Sequence, residues 1–507
     1  MNKNKRAKIN WYSKKYGITL ISLVITSVIM LILAGVAISI TVGDGSVTQH
    51  AQNASEQWGS SVANEQIKID EALSYLPGGT PSDLPAGWES SKVAEVVEDT
   101  QNNRKAPIPV GYTKSEITSE INADSPEDTI AGGLVVYQIP EGATVDWENN
   151  EITLSGADTP INLQENVNQY VWIPVDDIND MVMCKKNNID QGSYEENGET
   201  VTTKICKLEY DVSNDKITCK THGFDTTGYD TTANVLAKTN LDTVGLAGRL
   251  YGADFSTTDT TAPYIYTTSM DFTTTSQTFS ANSDYREPAI VTGNSSGTGT
   301  SYDGAESNLT GIGDGTVATF KAQLNKDFIA MAKSVAKYGG FYISRFEPSY
   351  ENSKVISKKN KAVLTATTST SGNYLAGGKW YGLYNKTLNN VEKGASVNSH
   401  MIWGCQYDQV IKFLGTEAQT GHNYQTTSQV VTGYTGDQDI LNNIYDLEGN
   451  NREWTAQANL TNFRAYRGGS YSNAYDSKFY PASNRSNNSN PANTGNDYTT
   501  RPTLYVK

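Results

Sequence analysis

An uninterrupted apolar run, Ile18–Ile40, constrains this chain more than any other stretch. It is 23 residues long, carries no charge, and is diluted only by Thr19, Ser22, Thr26, Ser27, Gly35 and Ser39. At about 1.5 Å of rise per residue, a helix of that length covers roughly 35 Å, enough for the hydrocarbon core of a bilayer. Lys3, Lys5, Arg6, Lys8, Lys14 and Lys15 precede it with no acidic residue among them. The amino end is therefore expected in the cytoplasm and the remainder outside the cell, with the chain held at the cell membrane. A secretory signal peptide has a shorter apolar region of about 7–15 residues.

The string Gly17-Ile18-Thr19-Leu20-Ile21-Ser22-Leu23-Val24-Ile25 resembles the start of type IV pilins and pseudopilins. That resemblance implies a basic leader, residues 1–17, removed by a prepilin peptidase between Gly17 and Ile18. It also implies an apolar helix that anchors the protein or enters a filament with other pilin-like subunits. The family usually has glutamate at the fifth mature position, where its charge meets a neighbour's amine; here that position is Ser22. The ion pair is lost, which favours a single anchor over filament assembly. A plain, uncleaved transmembrane helix is the alternative.

The chain of 507 residues has room for two or three domains. Its net charge is −15, and removing residues 1–17 leaves 34 basic against 55 acidic residues, a net −21. That balance argues against a nucleic-acid partner and suits an exported, solvated protein. Only 19% of residues are charged, while 30 Tyr, 43 Gly and abundant Thr, Ser and Asn fill the polar positions. Such a makeup points to a β-rich exterior protein. Cys184, Cys206 and Cys219 lie close together and Cys405 stands apart. One bridge within the trio, or a zinc site completed by His222, are the alternatives their spacing leaves open.

In order along the chain, residues 18–76 read as the transmembrane helix and an amphipathic stalk, ended by Pro77-Gly78-Gly79-Thr80-Pro81. Residues 77–164 read as a linker or small β-rich region, with a strand near 132–140. Tyr170–Val175 is a buried-strand signal, followed by a long irregular insertion at about 180–315. Phe320, Leu324, Phe328, Met331 and Val335 recur at helical spacing, with Gly339-Gly340 as a stop. Phe341–Glu347 reads as a strand, and Trp403, Tyr407, Val410, Ile411 and Leu414 mark a second helix closed by Gly415. Beyond 441 only strands and loops are expected. The fold class expected is α+β.

The order Tyr170-Val-Trp-Ile-Pro-Val175, Gly340-Phe-Tyr-Ile-Ser-Arg-Phe-Glu347, Ile444-Tyr-Asp-Leu-Glu-Gly-Asn-Asn-Arg-Glu-Trp-Thr455 and Phe463-Arg-Ala-Tyr-Arg-Gly-Gly-Ser-Tyr471 resembles the formylglycine-generating-enzyme-like (sulfatase-modifying-factor) branch of the C-type-lectin fold. The resemblance covers residues 165–507 around the insertion. It implies a lectin-like head behind the pilin-like anchor. It does not carry the activity over. The enzymes of that family hold copper with a cysteine pair just past Arg-Gly-Gly-Ser, and Tyr471-Ser472-Asn473-Ala474-Tyr475 has no cysteine. The iron-dependent relatives need clustered histidines, whereas His400 and His422 stand apart, and His400 reads as a capping or surface residue. No copper, iron or catalysis is expected. The resemblance does imply a structural calcium on the loop from Asp446 to Glu453, through the carboxylates of Asp446 and Glu453 and the carbonyls of Gly449 and Asn451. A solvated acidic turn is the alternative.

Residues 470–500 contain seven Asn, six Ser and four Tyr, and no Leu, Ile, Val or Met. Such a segment builds no core of its own and is expected as loops displayed on a scaffold. Tyrosine offers broad, rigid contact at small entropic cost, and small polar residues adapt their hydrogen bonds. The expected ligand contacts are Tyr471, Asn473, Tyr475, Asp476, Phe479 and Asn484, together with Asn487, Asn488, Asn490, Asn493, Asn496 and Tyr498. Arg467 and Trp454 read as scaffold. Some lectin-like relatives are variable proteins of diversity-generating retroelements, which rewrite adenine-rich codons, and this composition is similar to theirs. The expected function is binding of an extracellular or cell-surface protein or glycan. A minor pilin without a ligand is the rival, and an enzyme of the same fold the weaker one.

Overall fold

The run Gln169–Pro174 is buried at every position because it forms an inner strand, with neighbours on both sides. The sheet around it has six antiparallel strands in the order Val397–Met401, Pro502–Val506, Gly340–Ser344, Gln169–Pro174, Val135–Tyr137 and Thr113–Lys114. Register sets Tyr342 opposite both Trp172 and Leu504, and the Trp172 and Tyr342 rings meet at 4.9 Å. Gly340 has to be glycine, since a Cβ there would lie 2.3 Å from the Ile173 carbonyl and 2.5 Å from the Trp172 ring.

The computed structural model describes residues 84–99, 102–121, 129–185, 193–196, 199–202, 205–213, 215–220, 264–267, 285–288, 291, 302–303, 305–366, 379–419, 428–434, 439–459, 463–472, 480–489, 491 and 495–507. The leader, the Gly17–Ile18 junction, the apolar run and the stalk lie outside them. Among the described residues no helix is long and apolar enough to cross a membrane.

The long helix Val317–Tyr338 starts where the Thr316 side chain accepts from the Thr319 amide, and ends at Gly339 in the left-handed region, φ 76°. Phe320, Leu324, Phe328, Met331 and Val335 are all buried, as their spacing requires. Ser334 Oγ donates to the Val506 carbonyl at 2.7 Å and ties the helix to the sheet. A shorter helix, Trp380–Asn389, buries Trp380, Tyr381, Leu383 and Tyr384. A third, Gly404–Leu414, closes at Gly415. A second sheet joins Tyr285–Arg286, Arg452–Asn459, Phe463–Arg467 and Arg485–Ser489, and Tyr498–Thr500 adds to it in parallel. Helices and several small, mainly antiparallel sheets make the described part α+β.

Two boundaries differ from those read in the sequence. Strands Thr113–Lys114 and Val135–Tyr137, from the 77–164 region, complete the main sheet, and buried Glu120 bonds Arg345 at 2.5 Å. Pro81–Lys507 accordingly forms one compact unit. The expected insertion is also shorter at its end. Val291, Leu309 and Ile312 are core, and Glu287 caps the third helix by accepting from the amides of Gly404 and Cys405 at 2.7 and 2.5 Å. The remaining excursion contributes a four-stranded sheet of Val182–Lys185, Ile205–Asp211, Lys216–Lys220 and Tyr264–Thr267. Its register sets Cys184 opposite Cys206. Cys405 is a buried free thiol.

Candidate ligand-binding face

Strand Arg452–Asn459 alternates between two environments, as side chains on a strand must. Glu453 points into the interior, whereas Arg452 and Trp454 share the opposite face. Cross-strand register sets Tyr466 opposite Trp454 and Tyr498 opposite Arg452. The Trp454 ring is stacked on Tyr498, 5.3 Å and 23° apart, and meets Tyr466 edge-on at 5.8 Å. The two tyrosines meet each other edge-on at 5.5 Å. The Arg452 guanidinium lies 5.3 Å from the Tyr466 ring centre and 5.4 Å from that of Tyr498. Such placement is favourable for a cation over a ring face.

The guanidinium is fixed further by Ser472 Oγ at 3.2 Å, the Tyr498 hydroxyl at 3.2 Å and Asp497 Oδ2 at 3.3 Å. Ser472 in turn donates to Asp497 Oδ2 at 2.9 Å. Burial opposes the charge on Arg452, yet Tyr466, Asp497 and Tyr498 together raise its pKa. Trp454 is buried, while Arg452, Tyr466, Tyr471, Ser472, Asp497 and Tyr498 are half-buried. The result is an aromatic platform with one fixed positive charge, lying where the Asn/Ser/Tyr-rich segments leave the sheet.

Beneath the platform, buried ion pairs anchor those segments. Arg501 gives Nε and Nη2 to Glu453 Oε1 at 2.7 and 2.5 Å, and the Tyr407 hydroxyl donates to Glu453 Oε2 at 2.8 Å. Asp408 accepts from Arg467 at 2.7 Å and also from Arg485. Asp303 accepts from Arg464 and from the Tyr381 hydroxyl, each at 2.6 Å. Arg467 and Trp454 are both buried, Arg467 paired with Asp408 and Trp454 beneath the Tyr498 ring.

No family model matches the chain, and no curated protein or solved structure matches it either.

The expected contact residues separate into three groups. Tyr498 belongs to the platform; Tyr471 is half-buried with its amide donating to the Asn450 carbonyl at 2.8 Å, and Asn496, next to Asp497, is exposed. Asn484 does not, and is corrected here: it is buried, and its Nδ2 donates to the Gly468 carbonyl at 2.9 Å, holding the Arg-Gly-Gly turn. Asn487 and Asn488 lie on strand Arg485–Ser489, with side chains outside the described residues. Asn473, Tyr475, Asp476, Phe479, Asn490 and Asn493 also fall outside them. The sequence reading missed Arg452, Tyr466, Ser472 and Asp497. Alternation along Arg452-Glu453-Trp454 was the available signal for the first.

The expected calcium loop is occupied by protein contacts. Glu453 is held by Arg501, whose charge opposes a nearby cation. Asn451 takes the Gln429 amide at 3.0 Å and gives its own to the Asn496 carbonyl at 2.6 Å. Asp446 accepts from the Gly433 amide at 2.9 Å. Asp439 Oδ2 holds the amides of Glu448 and Gly449 at 2.8 and 2.7 Å, and Glu347 holds Asn450 and Asn451. Of the expected donors, Glu453 and Asp446 Oδ2 are engaged by protein groups. The loop is not a solvated turn, since Asp446, Glu448 and Glu453 are buried. Among the described residues no group of three or more His, Cys, Asp or Glu is arranged for a metal. His400 is not at the surface: it is buried, stacked on Trp403 at 4.4 Å, and burial pushes its pKa down to about 4.

Proposed function

We propose that this chain is a membrane-anchored surface protein that binds an extracellular ligand through the platform of Arg452, Tyr466 and Tyr498 and the Tyr/Asn/Ser-rich loops rooted around it. The head in this reading is lectin-like, of the formylglycine-generating-enzyme-like branch, carried by a pilin-like helix; it binds and does not catalyse. The observation that supports it is the position of Arg452, fixed between two tyrosine rings at the base of the displayed loops. Rigid aromatic surface with one oriented charge favours recognition of a planar or polar partner at low ordering cost. Retroelement diversification of codons 470–500 belongs to the same proposal, because Glu453, Arg464, Arg467 and Arg501 in the framework under the face lie outside those codons.

The test is binding by the full-length chain, solubilised in detergent, to arrays of extracellular proteins and glycans. At least one partner is expected to be retained, and to be weakened tenfold or more by Arg452→Ala or by Asn496→Trp, which blocks the rim. Retention of nothing, or retention indifferent to both substitutions, overturns the reading.

A further inference from the structure

A second, separate recess of about 520 Å³ lies between the first helical turns of Trp380–Asn389, the turn Ser307–Gly311 and the hairpin residue Tyr350. Its charged lining consists of Lys379 and Lys386, with no acidic residue, in a chain whose net charge is −15. Two other surface recesses differ: one pairs Lys333 and Lys337 with Glu89 and Asp215, the other pairs Arg104 with Asp176. Among the described residues neither Lys379 nor Lys386 makes an ion pair. Lys386 instead holds its ammonium 3.4 Å from the centre of the Tyr350 ring, and Lys379 reaches only the neutral Asn308 Oδ1 at 3.3 Å. The remaining polar lining is neutral and suited to hydroxyl groups: Asn385 and Asn390 amides with Ser307 and Thr310 hydroxyls. The volume falls in the range of small-ligand sites, about 300–1,000 Å³.

We infer that this recess binds an anionic saccharide, a uronate-containing oligosaccharide being the chemistry that fits. The two ammonium groups, without an ion-pair partner among the described residues, meet the carboxylates, and the side-chain amides meet ring hydroxyls. A simple anion would use the lysines and leave the amides idle. A neutral sugar would bring no counter-charge to the lysines. This site is independent of the platform and of the reading built on it.

The experiment is isothermal titration of the full-length chain with trigalacturonate, maltotriose and inorganic phosphate, each at low and high salt. Trigalacturonate is expected to bind at least tenfold more tightly than maltotriose or phosphate, and to weaken as salt rises. Lys386→Glu is expected to abolish that binding, and Lys386→Arg, which keeps the charge, to restore it within a few fold. Melting midpoints of both variants guard against misfolding. Equal affinity for maltotriose, equal affinity for phosphate, or indifference to Lys386→Glu in a folded variant overturns the inference.

Discussion

The ring of Tyr498 rests on that of buried Trp454, 5.3 Å away and within 23° of parallel. The platform therefore rests on the hydrophobic core, and its stiffness is inherited from it. Tyr498→Ala is expected to cost about 2 kcal/mol, by loss of half-buried aromatic contact. Tyr498→Phe, which loses the 3.2 Å bond from Arg452, is expected to cost less than about 1 kcal/mol. Chemical denaturation of both variants measures the difference; equal costs would mean that the stacking contributes little.

Asp408 is a carboxylate shared by Arg467 and Arg485, and all three are buried. Asp408→Asn leaves two guanidinium groups in a dry site facing a neutral amide. The expected loss is about 3–5 kcal/mol, the range for stripping one partner from a buried pair. Thermal unfolding reads it directly, and a near-unchanged midpoint would contradict the geometry.

Stability is expected to fall as pH rises through neutrality. Burial raises Asp327 and Glu287 to about 7 from 3.8 and 4.5. A raised folded pKa means stability fully present below the unfolded value and lost as pH climbs through 7. His400 works the other way: its pKa is lowered to about 4 from 6.5, so its contribution is present above 6.5 and fades toward pH 4. The His400 Nε2 faces Asp327 Oδ2 at 3.6 Å, and both are neutral between pH 5 and 6. Urea midpoints at pH 6 and 8 should therefore favour pH 6. Asp327→Asn should flatten that difference by up to about 1.4 kcal/mol per pH unit for the one proton it removes.

Chelation is expected to leave the melting midpoint unchanged, because Arg501 already neutralises Glu453. Scanning calorimetry with EGTA and with added calcium decides this. An upward shift on adding calcium would show that the 446–453 loop can exchange its protein partners for a metal.

Mass spectrometry of the chain recovered from the cell envelope is expected to find Ile18 as the first residue. Residues 1–17 still attached would leave the plain transmembrane helix standing and remove the prepilin reading.

The sequence disclosed the helix Val317–Tyr338 because large apolar side chains recur with its period and Gly339 can adopt φ 76°. It hid the helix Trp380–Asn389. That helix begins at Lys379 without a side-chain cap, and its Trp-Tyr-x-x-Tyr face has the composition of a strand. The platform was half legible. Composition pointed to Tyr498 in the displayed segment, but Arg452 and Tyr466 join it only through cross-strand register, which no local pattern reveals. Asn484 is the converse case. An asparagine that satisfies a buried carbonyl and one that greets solvent look alike in a sequence. Glu120 was invisible for the same reason, since its partner Arg345 is remote along the chain.

Pro502–Val506 runs between Gly340–Ser344 and Val397–Met401, deep in the main sheet, although it lies downstream of residues 470–500. Proofreading is built into that order. A nonsense or frameshift change anywhere in the displayed loops deletes an interior strand, not a decorative tail. Such a product leaves Tyr342 without one of its two cross-strand neighbours and His400 without its own, and has no route to a finished fold. A gene that tolerates sweeping substitution across those codons would thus still be filtered for an intact reading frame by folding itself.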